Sequence, residues 1–337
     1  MEIKIIKDRK KWDKWVSTFN DFTFLQSWDW GEINNSDKEF VVRLALFDKR
    51  KLVGLAQAFT ISARRGKIFF VPHGPLLKNQ HPKYWKAFFN FLVGLAQKNN
   101  CLCLRISPWL PKQSKSAALF SNFGFKPAPV IMHTEDTWLI DITGTEDEVM
   151  ARMRKTTRNL IRRAIKEKVK VKSSQKIEDV DILYKLQLEV VKRNNFVPFS
   201  KQYLKRELKQ FFNNNSAVLL LGKHDKNITG AALIIFMDKF AFYYQSGSQT
   251  TKVPVNYLIQ WQAILEARTR GCQIYNMWGV SPLDQKDHPW YGLTLFKTGF
   301  GGQLKQYMHA RDFPLSPKYY FLRLIEKIPK TLRQKIK

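Results

Sequence analysis

One stretch of this chain concentrates groups that can do chemistry. From Trp278 to Gly302 it reads WGVSPLDQKDHPWYGLTLFKTGFGG, which sets Lys297 between Phe296 and a glycine turn at Gly299, Gly301 and Gly302. A lysine held there is a fixed positive charge that can stabilise a developing oxyanion. Glycines let the backbone turn tightly or approach a ligand closely. The alternative is a structural loop carrying a surface lysine. A second concentration is electrostatic: from Arg152 to Lys172 there are ten basic residues and one acid, Glu167. Such a run is either a solvated face or a contact for a phosphate backbone. Other catalytic templates fail, since the chain has no Gly-x-Ser-x-Gly, no Walker loop and no Gly-x-Gly-x-x-Gly.

Composition narrows the classes further. The chain has 337 residues, suited to two domains or one large one, with 44% hydrophobic and 25% charged residues, ordinary globular proportions. Its net charge of +29 favours polyanionic partners: nucleic acid, anionic lipid or phosphorylated substrates. Three cysteines, Cys101, Cys103 and Cys272, make neither a disulfide framework nor a structural zinc set, and the six histidines are scattered. No metal is expected. The first residues, MEIKIIKDRKKW, are charged almost at once, and runs such as Ala231 to Met237 are far too short to span a bilayer. A soluble cytoplasmic protein is expected, with peripheral contact to an anionic membrane left open.

The elements that must position Lys297 follow from a weak internal repeat. Arg43 to Phe59, GKIFFVPHGPLL, PKYWKAFFNFLVGLAQKNN and CLCLRISP are matched by Ala217 to Phe236, DKFAFYYQSGS, NYLIQWQAILEARTRG and CQIYNMWGV. The offsets agree: 176 from Gly54 to Gly230, 173 from Gly74 to Gly247 and 171 from Cys101 to Cys272. Each copy reads as three strands, an amphipathic helix and a return strand, which predicts an α/β (α+β) protein with mixed sheets. In the second copy Tyr257, Trp261, Ile264 and Leu265 share a helix face. Between the copies a long helix is predicted from Thr145, with a capping box to Glu148 and an apolar stripe of Val149, Met153, Leu160, Ile161, Ala164 and Ile165. The expected domains are residues 1–145, residues 146–302 including this basic helix, and a basic amphipathic tail, 303–337, stopped near Pro329. That tail docks on the protein, on tRNA or on anionic lipid.

The strand and helix order resembles the core of the GNAT acyltransferase fold. The glycine-rich cradle that GNAT enzymes use for the CoA pyrophosphate is missing, which points to another acyl donor. Four stretches resemble the Fem family (FemA/FemB/FemX) of aminoacyl-tRNA-dependent peptidyltransferases: FLQSWDWGE (24–32), MRKTTRNLIRRAIKEKVKV (153–171), VVKRNNFVPFS (190–200) and HPWYGLTLFKTGFGG (288–302). In order and spacing they cover nearly the whole chain, and no long heptad run is present, so the short members without a coiled-coil arm are the nearer match. The resemblance implies two tandem GNAT-like domains facing a cleft. It implies transfer of an amino acid from aminoacyl-tRNA to the stem-peptide amine of a peptidoglycan precursor, either lipid II or UDP-MurNAc-pentapeptide, with no cofactor.

Roles carried over from the family fall on particular residues. Lys297 would steady the tetrahedral intermediate, with Phe296 packed beside it. Arg193 would contact the precursor's phosphates or uronyl group, and Tyr244, or Tyr243 in the alternative register, would line the precursor site. Trp30 and Asn34 lie in the stretch that binds precursor. Some members carry a nucleotide-binding lysine near the position of Asn34, so its replacement mildly favours lipid II, or a rearranged site, over a UDP-linked acceptor. For tRNA the best candidates are Arg152, Lys155, Arg158, Arg162 and Arg163, because acceptor-stem recognition is largely phosphate and shape contact. Two other readings stay open: an acyl-CoA N-acyltransferase on the same fold, and a tRNA- or RNA-binding module without catalysis. No general base is named by the sequence.

Overall fold

The computed structural model describes residues 1–35, 39–63, 66–112, 114–194 and 197–328. Asn195 and Phe196 of the third matching stretch, and Pro329, the expected stop of the tail helix, lie outside the described residues. The chain forms two units, Met1–Glu135 with Gln306–Lys337, and Asp136–Lys305.

The first unit begins β1 (Glu2–Ile5), α1 (Arg9–Val16), α2 (Trp28–Asn34), β2 (Val41–Asp48), β3 (Lys51–Ala63), β4 (Gly66–Pro72) and β5 (Leu76–Leu77). It continues with α3 (Pro82–Lys98), β6 (Cys103–Ser107), α4 (Ser114–Asn122) and β7 (Lys126–Pro127). The second unit runs β8 (Asp136–Asp141), α5 (Glu146–Ala151), α6 (Lys155–Lys166), β9 (Lys170–Ser174), α7 (Val180–Asn194) and α8 (Lys201–Asn213). It is completed by β10 (Ala217–His224), β11 (Asn227–Met237), β12 (Phe240–Ser248), α9 (Val255–Thr269), β13 (Ile274–Gly279), α10 (Tyr291–Thr298) and β14 (Gln303–Gln306). The chain then rejoins the first unit through β15 (Arg311–Pro314) and α11 (Lys318–Lys327).

The sheets repeat one another strand for strand. One is ordered β1-β2-β3-β4-β6-β15-β7, the other β9-β10-β11-β12-β13-β8-β14. In each, an antiparallel meander feeds a helix that returns to a parallel strand, β4 to β6 and β12 to β13. Even the bulges correspond, after Leu46 opposite Gly54 and after Gly222 opposite Gly230. Both glycines sit where the crossover helix presses on the sheet: an added Cβ would lie 2.7 Å from Phe88 at Gly54 and 2.8 Å from Ile259 at Gly230. The sixth strand of each sheet is exchanged. β8 comes before the second copy of the repeat yet pairs with its β13, and β15 comes after that copy yet pairs with β6 of the first.

One expectation is corrected. The predicted long helix after Thr145 is two helices, α5 and α6, broken at Arg152–Arg154. The Thr145–Glu148 capping box starts α5 as read from the sequence. The break arises because the Arg154 amide leaves the helical ladder and donates to the Gly299 carbonyl at 2.9 Å. Val149, Met153, Ile161 and Ala164 are buried on the core of the unit, whereas Ile165 is exposed.

Candidate active site

The second sheet opens where its parallel pair should continue. β12 and β13 pair through Phe240–Ile274, Ala241–Tyr275 and Phe242–Asn276, and there the pairing stops although both strands run on. The divergence has a local cause. The Asn276 side chain accepts from the Trp278 amide at 2.8 Å, an Asx-type turn. Trp278 then takes a left-handed conformation, φ 61°, which is rare for a bulky residue. The kink turns the Gly279 carbonyl toward α10.

Lys297 meets it. This lysine is in the last turn of α10 and only 5% exposed, and its Nζ donates to the Gly279 carbonyl at 2.5 Å. The amine also stands 5.5 Å from the centre of the Tyr243 ring. Burial lowers its pKa from 10.5 to about 7, because a low-dielectric site disfavours the charged form. A primary ammonium has three donors, and the described residues engage one of them here. Phe296 faces another way, edge-on to Tyr257 and Phe300, where it helps fasten α10 to α9.

The glycine turn after Lys297 is closed by protein. A Cβ on Gly301 (φ 82°) would lie 2.6 Å from the Arg152 carbonyl oxygen, and one on Gly302 (φ 92°) 2.2 Å from that of Leu139. The Trp138 indole donates to the Gly301 carbonyl at 2.5 Å. The turn therefore sets the height of Lys297 by packing under the α5–α6 break and against β8.

On the other side of β12, Tyr244 lies edge-on to Trp278 and hydrogen-bonds Glu207 of α8. Glu207 is fully buried, and burial pushes its carboxyl up from 4.5 to about 8. The Tyr203 hydroxyl approaches the same carboxyl at 3.5 Å. Sequence reasoning missed Glu207, because KQYLKRELKQFF reads as a charged surface helix. The signal present was its position among Leu204, Leu208 and Phe211, all buried.

The remaining expected residues are distributed as follows. Arg193, exposed at the end of α7, donates to the Ser248 carbonyl (2.8 Å) and the Thr250 hydroxyl (3.2 Å), where the strand bearing Tyr243 and Tyr244 ends. Trp30 and Asn34 belong to α2 of the first unit. Trp30 is buried edge-on to Phe24 and His133, and the Asn34 amide donates to the Trp30 carbonyl at 2.8 Å. The neighbouring Gln26 donates to the Pro72 carbonyl and accepts from the Gln57 amide, so part of that stretch ties α2 to the sheet. Among the basic residues, Arg152 donates to the carbonyls of Asp141 and Thr143, and Arg158 to those of Ala151 and Met153. Arg163 pairs with Glu167. Lys155 and Arg162 are exposed.

A duplicated mixed sheet of this order has the tandem GNAT-like fold. The chain belongs to the FemAB family, whose model matches residues 8–120, 128–226 and 221–327. It is thereby, in general terms, an aminoacyltransferase of the kind that builds peptidoglycan interpeptide bridges. The crystal structure of FemX superposes with a TM-score of 0.85 at 17% identity, over 97% of this chain and 100% of that one. A tandem GNAT protein from the clavulanic acid biosynthesis pathway gives 0.56 at 12% identity, over 94% and 99%. The L-PGS structure from Bacillus licheniformis gives 0.55 at 14% identity, over 97% and 99%. No curated protein matches by sequence. Among the described residues no helix is long and apolar enough to cross a membrane.

Proposed function

We propose that this protein transfers an amino acid from aminoacyl-tRNA to the stem-peptide amine of a peptidoglycan precursor, and that Lys297 stabilises the tetrahedral oxyanion. The observation that carries the reading is the Lys297 amine, buried at the strand divergence and hydrogen-bonded, among the described residues, to the Gly279 carbonyl. The acceptor nitrogen attacks the ester carbonyl carbon. The bond to the tRNA ribose oxygen then breaks, and that oxygen leaves with a proton derived from the amine. The donor is already an activated ester, so positioning and charge stabilisation suffice. A negative charge forming beside Lys297 favours its ammonium form, so the approach of the transition state itself raises the proton affinity of a lysine otherwise poised near pH 7.

In this reading Tyr243, Tyr244 and Arg193 of the second unit bind the acceptor, and the precursor-binding roles that the family resemblance gives Trp30 and Asn34 belong to the first unit. With Asn34 in place of a nucleotide-binding lysine, lipid II is the favoured acceptor. Lys155 and Arg162, exposed on α6, are offered to tRNA phosphates with Arg152, Arg158 and Arg163 beside them. The donor assigns the reaction to the cytoplasm.

The test is a transfer assay with pooled, labelled aminoacyl-tRNA and two acceptors in parallel, lipid II and UDP-MurNAc-pentapeptide. RNase-sensitive label on one acceptor, at least about 100-fold slower with Lys297→Ala, is the expected result. Unchanged transfer in the variant removes Lys297 from the chemistry, and label on neither acceptor removes the assigned substrates. The pH profile separates two roles for the lysine. As an oxyanion stabiliser it must be protonated while the acceptor amine is neutral, so the rate rises up to about pH 7 and then levels. As a general base it must be neutral as well, and the rate continues to climb above that pH.

A further inference from the structure

Helix α11 is apolar on two sides. Its inner side is docked: Tyr319 and Leu322 are buried with Ile68 and Cys103. Glu326 joins Asp312 in gripping the fully buried Arg105, with contacts of 2.7 Å from each carboxylate. A surface helix anchored this way normally turns polar residues outward. This one turns out Tyr320 (50% exposed), Phe321 (67%) and Leu324 (64%).

Charge says what covers that face. Lys318 and Lys327 flank it, and the Lys126 amine donates to the Tyr320 hydroxyl at 3.1 Å. The helix's one acid, Glu326, is turned inward and paired with Arg105. The sequence after Ile328, PKTLRQKIK, adds four basic residues and no acid. A second copy seated isologously would bring each cluster of lysines against its own image on a chain already carrying +29. The chain's own final residues would likewise bring cations to cations. An apolar strip rimmed by cations instead matches a bilayer interface with anionic headgroups, where aromatic and aliphatic side chains enter the acyl boundary and each lysine contributes attraction.

We propose that the outward face of α11 is a docking surface for membranes bearing anionic phospholipid. The proposal is independent of the transferase reading, because its readout is binding. The full chain is sedimented with vesicles of phosphatidylcholine alone or of phosphatidylcholine with phosphatidylglycerol. Binding to the anionic vesicles is expected, with a tenfold or greater loss in Phe321→Ser/Leu324→Ser and in Lys318→Gln/Lys327→Gln. Both pairs are exposed, so an unchanged circular dichroism spectrum and melting transition accompany the loss. Three results overturn the proposal. One is equal binding by wild type and Phe321→Ser/Leu324→Ser. Another is binding lost only on deleting residues 329–337. The third is a dimer in light scattering that disappears in Phe321→Ser/Leu324→Ser while vesicle binding does not change.

Discussion

Replacing Lys297 with methionine should make the protein more stable and less active at once. The side chains are similar in length, and the substitution removes a buried amine held far from its ordinary proton affinity. Burial moves that amine from 10.5 to about 7. The folded form thus binds its proton less tightly than the unfolded form does. Wild-type stability is accordingly lost as pH falls from 10.5 toward 7, and the loss is complete below that. At about 1.4 kcal/mol per pH unit, the penalty is about 4 kcal/mol at pH 7 and about 1 kcal/mol at pH 9.5. Against this, the variant forfeits the hydrogen bond to the Gly279 carbonyl, about 1 kcal/mol. The net expectation is that Lys297→Met gains about 3 kcal/mol at pH 7 and nothing at pH 9.5. Paired urea titrations of wild type and variant at several pH values read the difference directly, and other titrating groups cancel between the two. A difference that stays flat from pH 7 to 9.5, or a variant less stable at pH 7, refutes the argument that this lysine is held under desolvation strain.

Three further substitutions probe the same framework. Glu207→Gln keeps the shape and a hydrogen-bonding group while removing a carboxyl whose pKa is raised to about 8. The wild type loses stability as pH rises from 4.5 through 8, so the variant should match it at pH 5 and exceed it at pH 8.5 in the same urea titrations. Gly302→Ala places a Cβ 2.2 Å from the Leu139 carbonyl at a φ of 92°; a loss of roughly 2–4 kcal/mol is expected, with transfer activity falling as α10 shifts. Asp312→Asn leaves the buried Arg105 guanidinium with a single ionised partner, Glu326, and should cost about 3–5 kcal/mol in thermal unfolding monitored by circular dichroism.

Much of the scaffold was legible because its signals are local. The paired glycines at 54 and 230, the capping box at Thr145 and the strand–helix–strand order all act over a few residues. They appear in the structure as expected. Lys297 stood out for the same reason, lying among aromatics and glycines. What escaped the sequence depends on partners far along the chain. The break between α5 and α6 is set by a carbonyl at Gly299, some 145 residues from Arg154. Glu207 looks like one charge among many on α8 until packing shows it under Tyr203 and Tyr244. The exchanged strands β8 and β15 carry no mark of their destination, since short mixed strands pair wherever an edge is offered.

The two copies share a fold but not an opening, and this asymmetry bears on how many reactions the chain can run. In the first sheet β4 and β6 stay paired to their ends, through Pro72 and Ser107. The space beyond is filled. His73 stacks on Trp109, ring centres 4.1 Å apart, and Trp109 on Tyr307 at 3.4 Å. The Trp109 indole and the Tyr307 hydroxyl both donate to Asp21. The His73 Nε2 lies 3.1 Å from the Thr134 carbonyl, which can only accept, so that nitrogen carries the proton and Nδ1 accepts from Thr23. Burial and the neighbouring His133 push its pKa well down, so it is neutral and already committed on both nitrogens. In the second sheet pairing stops at Phe242 and Asn276, and Lys297, bonded to the Gly279 carbonyl, stands at the gap. Duplication supplied two equivalent strand pairs. Aromatic packing sealed one, and the Asn276–Trp278 kink opened the other beside Lys297, so the proposed chemistry belongs to a single copy of the repeat.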